Sequence, residues 1–348
     1  CEGEYKVKKK ALLMLILALA VVMMAACSSN GTSSSGASGS DDAAGGTGAQ
    51  TIVVNAVSFL PKDDPLTATI HEWIRMVEEA TGGQVKINWR GGADIIPPGE
   101  QANAVQTGVI DLIFNHTGQY ESQNRAVSAL PLSRLTPWEE RENGFFDAMV
   151  EAHRKIDMVY LGRWLNTSPR IWLKEPIEKM DDLKGKKIRA TGNYTRFFDS
   201  LGINSVIIDP SEVYTSLQTG VVEGFVYGGL QGPRQNGWTD STKYVLDHPF
   251  WNQNVTIVMN PAKWDSISPE NQKAILDATA EYERYMVEYY NAESEKERAE
   301  LEKIGVKFIR FSDEEAEKFV NQAYDVEWEY LKTHIPDQVE KLRALTEK

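Results

Sequence analysis

The 348-residue chain has only two cysteines, Cys1 and Cys27, and both lie at its N-terminal end. This scarcity excludes a disulfide within the rest of the chain. Exported proteins with small cores often depend on disulfides, but about 300 residues can bury a large core without them. The length by itself favours two domains.

The sequence also lacks the motifs of common enzyme classes. It has no G-x-S-x-G nucleophile elbow, no H-E-x-x-H zinc helix and no phosphate-binding loop. The five histidines, at positions 71, 116, 153, 248 and 334, do not have the spacing of metal ligands. We therefore expect a protein that is not an enzyme and that holds no cofactor and no metal.

Positive charge is scarce as well. The chain has 37 Lys and Arg against 50 Asp and Glu, which gives a net charge of −13. Such an acidic chain is a poor partner for nucleic acid or for an anionic lipid surface. A cationic side chain in a cleft of this protein is therefore informative.

The first 26 residues have the organisation of an export signal. Lysines between positions 6 and 10 precede an apolar stretch over residues 11–26, which is short for a membrane span. Met24-Ala25-Ala26-Cys27 resembles a bacterial lipobox, with Met where Leu is usual, so we expect Cys27 to be lipidated. The alternative is a transmembrane anchor. Residues 27–50 are rich in Ser, Gly, Ala and Thr, and we expect a flexible linker there.

One spacing pattern occurs twice in the chain, 112 residues apart. The first copy comprises Pro98, Glu100, Gln106, Thr107, Gly108, Val109 and Asp111, and the second comprises Pro210, Glu212, Gln218, Thr219, Gly220, Val221 and Glu223. The match indicates two copies of one supersecondary unit. Each copy predicts a helix that begins at Pro and ends before Gly, followed by a buried strand over 109–114 or 221–227. The paired carboxylates could act in acid–base chemistry, but equivalent places in two strands favour a structural role.

Short apolar strands alternate with helical segments along the chain, which predicts an α/β fold with mainly parallel sheets. In such sheets ligands bind beyond the carboxyl ends of the strands, and two facing sheets would form a cleft between two domains. Residues 270–304 contain neither Gly nor Pro and have a helical apolar stripe. A continuous helix of about 50 Å would lie across both domains. The alternative is two helices broken near Asn291 and Ala292.

Arg189 is the strongest candidate for binding. It lies in the predicted strand 187–190, and a strand-end guanidinium in a cleft offers a planar set of donors that fits a carboxylate. From position alone, a solvated arginine or one paired with a nearby acid is the more common situation. We expect Trp164, Trp172 and Trp238 to lie in the core or between domains.

Several segments resemble the solute-binding proteins of TRAP transporters, the DctP family. The similarity covers most of residues 51–345 and is most specific between residues 184 and 224. The segments that carry it are Lys184-Gly185-Lys186-Lys187-Ile188-Arg189, residues 200–206, residues 211–214 and residues 217–224. The resemblance implies a two-domain, periplasmic-binding-protein-like α/β fold with a long helix spanning both domains. We expect domain I at 51–167 plus about 253–290, and domain II at 168–252 plus about 291–348.

The resemblance also implies roles for individual residues. Arg189 matches the arginine that pairs with the substrate carboxylate, and Arg170, before Lys174-Glu175-Pro176-Ile177, matches a second arginine. Tyr227 stands where the family commonly has an amide. This difference favours a monocarboxylate with an apolar body, or an aromatic acid, over a small dicarboxylate. Further candidates for ligand contact are Asn115, His116, Phe59 and Tyr194.

The function that the resemblance implies is that of an extracytoplasmic solute receptor of a TRAP-type transporter. Such a receptor binds an organic acid anion by domain closure and delivers it to the small and large membrane subunits. We expect a monomer, without nucleic acid as partner, lipid-anchored at the outer face of the cytoplasmic membrane or periplasmic. The alternatives are an ABC-type solute-binding lipoprotein, a cell-surface α/β hydrolase and a structural or adhesive lipoprotein.

Overall fold

A computed structural model describes residues 51–252 and 255–347. The predicted signal segment, the linker and Cys27 lie outside the described residues. The described strands are β1 Ile52–Ser58, β2 Val85–Gly91, β3 Leu112–His116, β4 Val159–Leu165, β5 Arg170–Leu173, β6 Lys187–Ala190, β7 Asn204–Ile207, β8 Gly224–Tyr227, β9 Tyr244–Leu246, β10 Val255–Met259 and β11 Lys307–Ile309. The described α-helices are α1 Ile70–Ala80, α2 Pro98–Gln106, α3 Pro137–Asn143, α4 Phe145–Arg154, α5 Thr195–Ser200, α6 Val213–Gln218, α7 Pro261–Asp265, α8 Pro269–Lys303, α9 Asp313–His334 and α10 Pro336–Ala344.

The strands form two sheets. The first sheet has the order β2-β1-β3-β10-β4, and β10 is its one reversed strand. The second sheet has the order β11-β9-β5-β8-β6-β7, and β5 is its one reversed strand. The mixed α/β architecture with largely parallel sheets agrees with the prediction. A ligand-binding site is therefore expected at the carboxyl ends of the parallel strands.

The duplicated pattern forms a helix followed by a strand in both copies. The helix α2 begins at Pro98 as predicted, whereas Pro210 opens a 3-10 turn, Pro210–Glu212, and α6 begins only at Val213. Gly108 and Gly220 follow helices and have φ of 75° and 74°, a left-handed conformation that favours glycine. Asp111 Oδ2 accepts a hydrogen bond from Asn55 N at 2.8 Å, and Glu223 Oε2 accepts one from Lys187 N at 2.9 Å. Each carboxylate thus ties its unit to the main chain of a neighbouring strand, which is a structural role.

The strands after the two helices begin later than predicted. Val109 and Val221, which we expected to be buried in strands, are 74% and 50% exposed. The left-handed glycine before each valine turns the chain outward, and pairing begins only at Leu112 and Gly224. The predicted strand starts were therefore too early, because an apolar valine directly after each turn was included in the strand.

The segment 269–303 is one continuous helix of 35 residues, α8. Its first half packs on the first sheet, where Tyr282 Oη donates to the Trp164 carbonyl at 2.7 Å. Its second half reaches the second sheet, where Arg298 lies 3.9 Å from the Phe308 ring centroid. The helix therefore contacts both sheets, as predicted, and the break at Asn291 does not occur.

The helical break predicted near Pro336 is present. It separates α9, which ends at His334, from α10, which begins at Pro336. Among the helices that the structure describes, none combines the length and the apolar composition of a membrane-crossing segment. The assignment of residues 51–167 and 168–252, with their later segments, to two separate domains stays a prediction.

Candidate functional site

A cavity of about 490 Å³, part of which opens to solvent, lies where strands of both sheets end. The first sheet contributes residues at the ends of β1, β3 and β4, and the second contributes residues at the ends of β6 and β8. The lining residues are Phe59, Leu60, Leu66, His116, Trp164, Leu165, Arg189, Thr191, Asn193, Tyr194, Pro210, Val226, Tyr227, Gly228 and Val255. Its position is the one expected for a ligand site in open α/β sheets.

Arg189 on β6 is 2% exposed and lines the cavity. Its Nε donates to the Ile208 carbonyl at 2.7 Å, and its Nη1 donates to the Val226 carbonyl at 3.3 Å. Its Nη2 is buried and has no hydrogen-bond partner. Burial lowers the pKa of Arg189 to about 10, because desolvation disfavours the charged form. The guanidinium is held in place by two carbonyls and still has a donor to offer.

His116, the last residue of β3, faces the same cavity. The ring of Phe59 packs edge-on against it, with the centroids 4.6 Å apart. Burial lowers the pKa of His116 to about 4, with a smaller opposing effect of Glu121 and a further lowering by Arg189. At neutral pH this imidazole is therefore uncharged, and Arg189 carries the positive charge of the cavity.

Tyr227, at the end of β8, is fixed by a carboxylate. Its hydroxyl donates to Asp64 Oδ2 at 2.9 Å, and Asp64 Oδ1 accepts from Leu66 N at 2.9 Å. Burial raises the pKa of Asp64 and raises the pKa of Tyr227 well above its ordinary value. Tyr194 completes this wall, and its ring stacks on Trp251 with centroids 5.6 Å apart. Both tyrosines on this side of the cavity are therefore held by contacts within the protein.

Two of the seven residues predicted to bind substrate lie outside the cavity lining. Arg170 Nε is 3.3 Å from Asp247 Oδ1, and Asp247 also pairs with Arg298. Asn115 is buried, and its Nδ2 donates to the Pro98 carbonyl while its Oδ1 accepts from His116 N. Each of these side chains is occupied by contacts within the protein. The other five, Arg189, His116, Phe59, Tyr194 and Tyr227, meet at one cavity.

Sequence reasoning missed several lining residues. Trp164, expected in the core or between domains, lines the cavity near the end of β4. Thr191 and Asn193 directly follow β6, and the strand-end rule could have found them. The leucines at 60, 66 and 165 gave no such signal, because an apolar wall has the same composition as a core.

The cavity has one cationic side chain and no acidic one among its lining residues. A buried guanidinium without a counter-ion costs free energy, and an anion with an apolar body would relieve that cost. Among the described residues, no group of three or more His, Cys, Asp or Glu could hold a metal ion. The arrangement can bind an anion, and it offers no nucleophile and general-base pair for catalysis.

The model of the DctP family, described as "Bacterial extracellular solute-binding protein, family 7", matches residues 56–333. The chain belongs to this family. It is therefore an extracellular solute receptor of the TRAP type, not an enzyme. The match decides against the ABC-type lipoprotein, the hydrolase and the adhesive lipoprotein that the sequence had left open.

Relatives of this receptor are distant in sequence. The monocarboxylate 2-oxoacid-binding periplasmic protein of Nostoc is 22% identical over 265 residues, covering 72% of each chain. The 2,3-diketo-L-gulonate-binding periplasmic protein of Escherichia coli is 23% identical over 291 residues, covering 78% of this chain and 84% of its own. A TRAP solute-binding protein of Desulfovibrio salexigens with bound orotic acid superposes with a TM-score of 0.76 at 19% identity, covering 85% of this chain and 97% of its own. At this identity the superposition shows the shared fold.

Proposed function

We propose that this receptor binds the carboxylate of an organic acid through Arg189 and delivers the acid to the TRAP membrane subunits. The observation that carries the proposal is that Arg189, which is 2% exposed and lines the cavity, has a buried Nη2 without a hydrogen-bond partner. No described Asp or Glu forms an ion pair with it. A ligand carboxylate would supply both the missing acceptor and the missing counter-charge.

The lining supports a monocarboxylate with an apolar body. A dicarboxylate would bring a second negative charge, and the lining has one Arg and no Lys to receive it. A sugar acid would bring several hydroxyls against a wall that includes Phe59, Leu66, Leu165 and Val255. An aromatic acid is compatible with the rings of Tyr194 and Tyr227. Relatives named for different acids support the organic-acid class and leave the individual substrate to experiment.

The fold supports a closing motion around this ligand. We propose two lobes, residues 51–167 with 253–290 and residues 168–252 with 291–348, that close over the acid by a hinge movement. The closed receptor would then dock on the small and large membrane subunits as a monomer. Cys27, carrying the lipid, and the linker to residue 50 would tether it to the outer face of the membrane.

A thermal-shift screen of organic acids on the full chain, followed by calorimetry, tests the carboxylate site. We expect monocarboxylates with apolar bodies to raise the melting temperature and small dicarboxylates such as succinate to leave it unchanged. Arg189→Ala should abolish the shift. Arg234→Ala, which removes a guanidinium paired with Glu297 outside the cavity, is the control and should retain it. An undiminished shift in Arg189→Ala would refute the role of Arg189.

A further inference from the structure

The chain segments that follow β3 and β6 meet a second time, away from the cavity that their strand ends line. Glu121 lies in the loop shortly after His116, and Arg196 lies on α5 shortly after Arg189. Arg196 Nη1 donates to Glu121 Oε1 at 3.1 Å. Glu121 belongs to residues 51–167 and Arg196 to residues 168–252, so this ion pair joins the two lobes proposed above. Neither residue lines the cavity.

Each lobe also balances its own charge at this place. Within the second lobe, Arg196 donates to Glu327 from Nε at 3.0 and 2.9 Å and from Nη2 at 2.6 Å. Within the first lobe, Arg125 Nη1 lies 3.4 Å from Glu121 Oε1, and Ser128 Oγ donates to Glu121 Oε2 at 2.8 Å. If the contact between Glu121 and Arg196 breaks, each of these charges therefore keeps a partner. The large cost of an unpaired buried charge does not arise, so the lobes can separate there reversibly.

The interface around this ion pair is incompletely packed. A small second cavity of about 230 Å³ lies there and is lined by residues of both lobes, among them Thr117, Glu121, Asn193 and Arg196. Beside it the two loops approach closely, since a Cβ on Gly118 would lie 3.0 Å from the Cβ of Asn193. Asn193 also lines the ligand cavity. The ion pair and the ligand cavity therefore lie on one interface between the lobes.

We propose that Glu121 and Arg196 form a latch that holds the closed receptor and slows the release of bound acid. This inference rests on the carboxylate site and the closing motion proposed above. The pair forms only when the lobes meet, so it stabilises the closed state and not the open state that the acid first encounters. Its loss should therefore raise the dissociation rate and leave the association rate unchanged. Both are positioning residues, because neither lines the cavity that holds the acid.

Stopped-flow fluorescence on the full chain tests the latch, with Trp164 in the cavity lining as an intrinsic reporter. The probe is the monocarboxylate that gives the largest shift in the thermal screen, in which 4-methylpentanoate and benzoate represent aliphatic and aromatic acids. Glu121→Gln removes the charge and keeps the size of the side chain. We expect this variant to release the probe about tenfold faster than the wild type, as the loss of a charge-assisted hydrogen bond predicts.

Glu297→Gln is the matched control. The Glu297 carboxylate lies 2.7 Å from Arg234 and is 7% exposed, against 15% for Glu121, but both Glu297 and Arg234 belong to the second lobe. This substitution removes the same charge without touching the interface, so both rates should equal those of the wild type. Ser128→Ala is a second variant, because it removes only the hydroxyl that orients Glu121. It should raise the dissociation rate by a smaller factor.

The Tyr227–Asp64 hydrogen bond also joins the two lobes. Tyr227 lines the cavity, so a substitution there would change the contact with the acid and the closure together. The Glu121 variants avoid this ambiguity.

The outcomes separate the latch from the carboxylate site. Faster release in Glu121→Gln, with unchanged association and an unaffected control, supports the latch. Wild-type rates in Glu121→Gln refute the latch and leave the carboxylate site standing. Slower association, or an equal change in Glu297→Gln, also refutes it, because the effect is then not specific to the closed interface. If Glu121→Gln does not fold, Ser128→Ala decides in the same way. If no acid in the screen binds to the wild type, both proposals fail.

Discussion

Two buried arginines, one on each sheet, have opposite surroundings. Arg163 on β4 donates from Nε and Nη2 to the two oxygens of Glu140, at 2.8 and 2.6 Å, and Nη2 also donates to the Leu130 carbonyl. Arg189 on β6 has two carbonyls and no carboxylate. Burial by itself lowers the pKa of a guanidinium, yet Glu140 holds the pKa of Arg163 above its ordinary value, whereas the pKa of Arg189 falls to about 10.

The difference separates a framework cation, Arg163, from Arg189, for which we propose a ligand-binding role. Next to Arg163 only glycine fits at position 162, because a Cβ there would lie 2.5 Å from Glu283 Oε1. Glu283 in turn forms an ion pair with Arg141. The charges at β4 are thus matched within the protein. At β6 the chain leaves the charge of Arg189 without a carboxylate partner next to a cavity, and we propose that a ligand supplies the counter-charge.

The largest effect that the comparison predicts is on the stability of an Arg163 variant. Arg163→Met should lower the free energy of unfolding by about 3–5 kcal/mol, because it leaves the Glu140 carboxylate buried without its partner. Urea unfolding followed by circular dichroism measures this. The double variant Arg163→Met/Glu140→Leu should recover much of the loss, because it removes both charges. Equal stability of the single and double variants would contradict the pairing.

Two buried histidines, one in the cavity and one in the core, make the stability of the protein depend on pH. Burial lowers the pKa of both His116, in the cavity, and His153, in the core, to about 4. Both values lie below the usual value of about 6.5, so the unfolded chain binds more protons between these limits. The contribution of these two uncharged histidines to the free energy of unfolding is therefore fully present above about pH 6.5, and it is lost as the pH falls toward 4.

A bound anion should distinguish these two histidines. It would stabilise the imidazolium of His116 and raise its pKa by about one to three units. His153 is tied to Tyr120 Oη and the Met149 carbonyl away from the cavity, so its pKa should not move. An NMR titration of the histidine Cε1–H signals, with and without a saturating acid from the thermal-shift screen, measures both shifts. A ligand-induced shift at His153 alone would place the anion elsewhere.

Much of the fold could be predicted from the sequence, because its signals are local. Pro98 marks the start of α2, the left-handed Gly108 and Gly220 mark the ends of α2 and α6, and the uninterrupted run before Gly305 defines α8. The starts of β3 and β8 were misplaced, because the branched side chains of Val109 and Val221 suit a strand even where a turn exposes them.

The site was predictable mainly in and just after the last residues of strands. Arg189, His116 and Tyr227 follow that rule, and they meet at the cavity. Asn115 follows it too, but its amide is used by the main chain, and the partner of Arg170, Asp247, is 77 residues away in sequence. Whether a polar side chain is free for a ligand depends on such distant partners, which no local pattern reveals. Trp164 shows the converse, since it is as buried as the core residue Trp172 and differs from it by lining the cavity.

The smallest expected effect is the sharpest test of the opening comparison. Arg189→Met should change the free energy of unfolding of the ligand-free protein by no more than about 1 kcal/mol, because the two lost hydrogen bonds to carbonyls are offset by removal of an unpaired buried charge. Urea titrations of Arg189→Met and Arg163→Met under one set of conditions give the contrast. A loss in Arg189→Met as large as that in Arg163→Met would mean that Arg189 holds the fold together. Stability close to that of the wild type, together with lost acid binding, would mean that the charge is kept at β6 for the ligand alone.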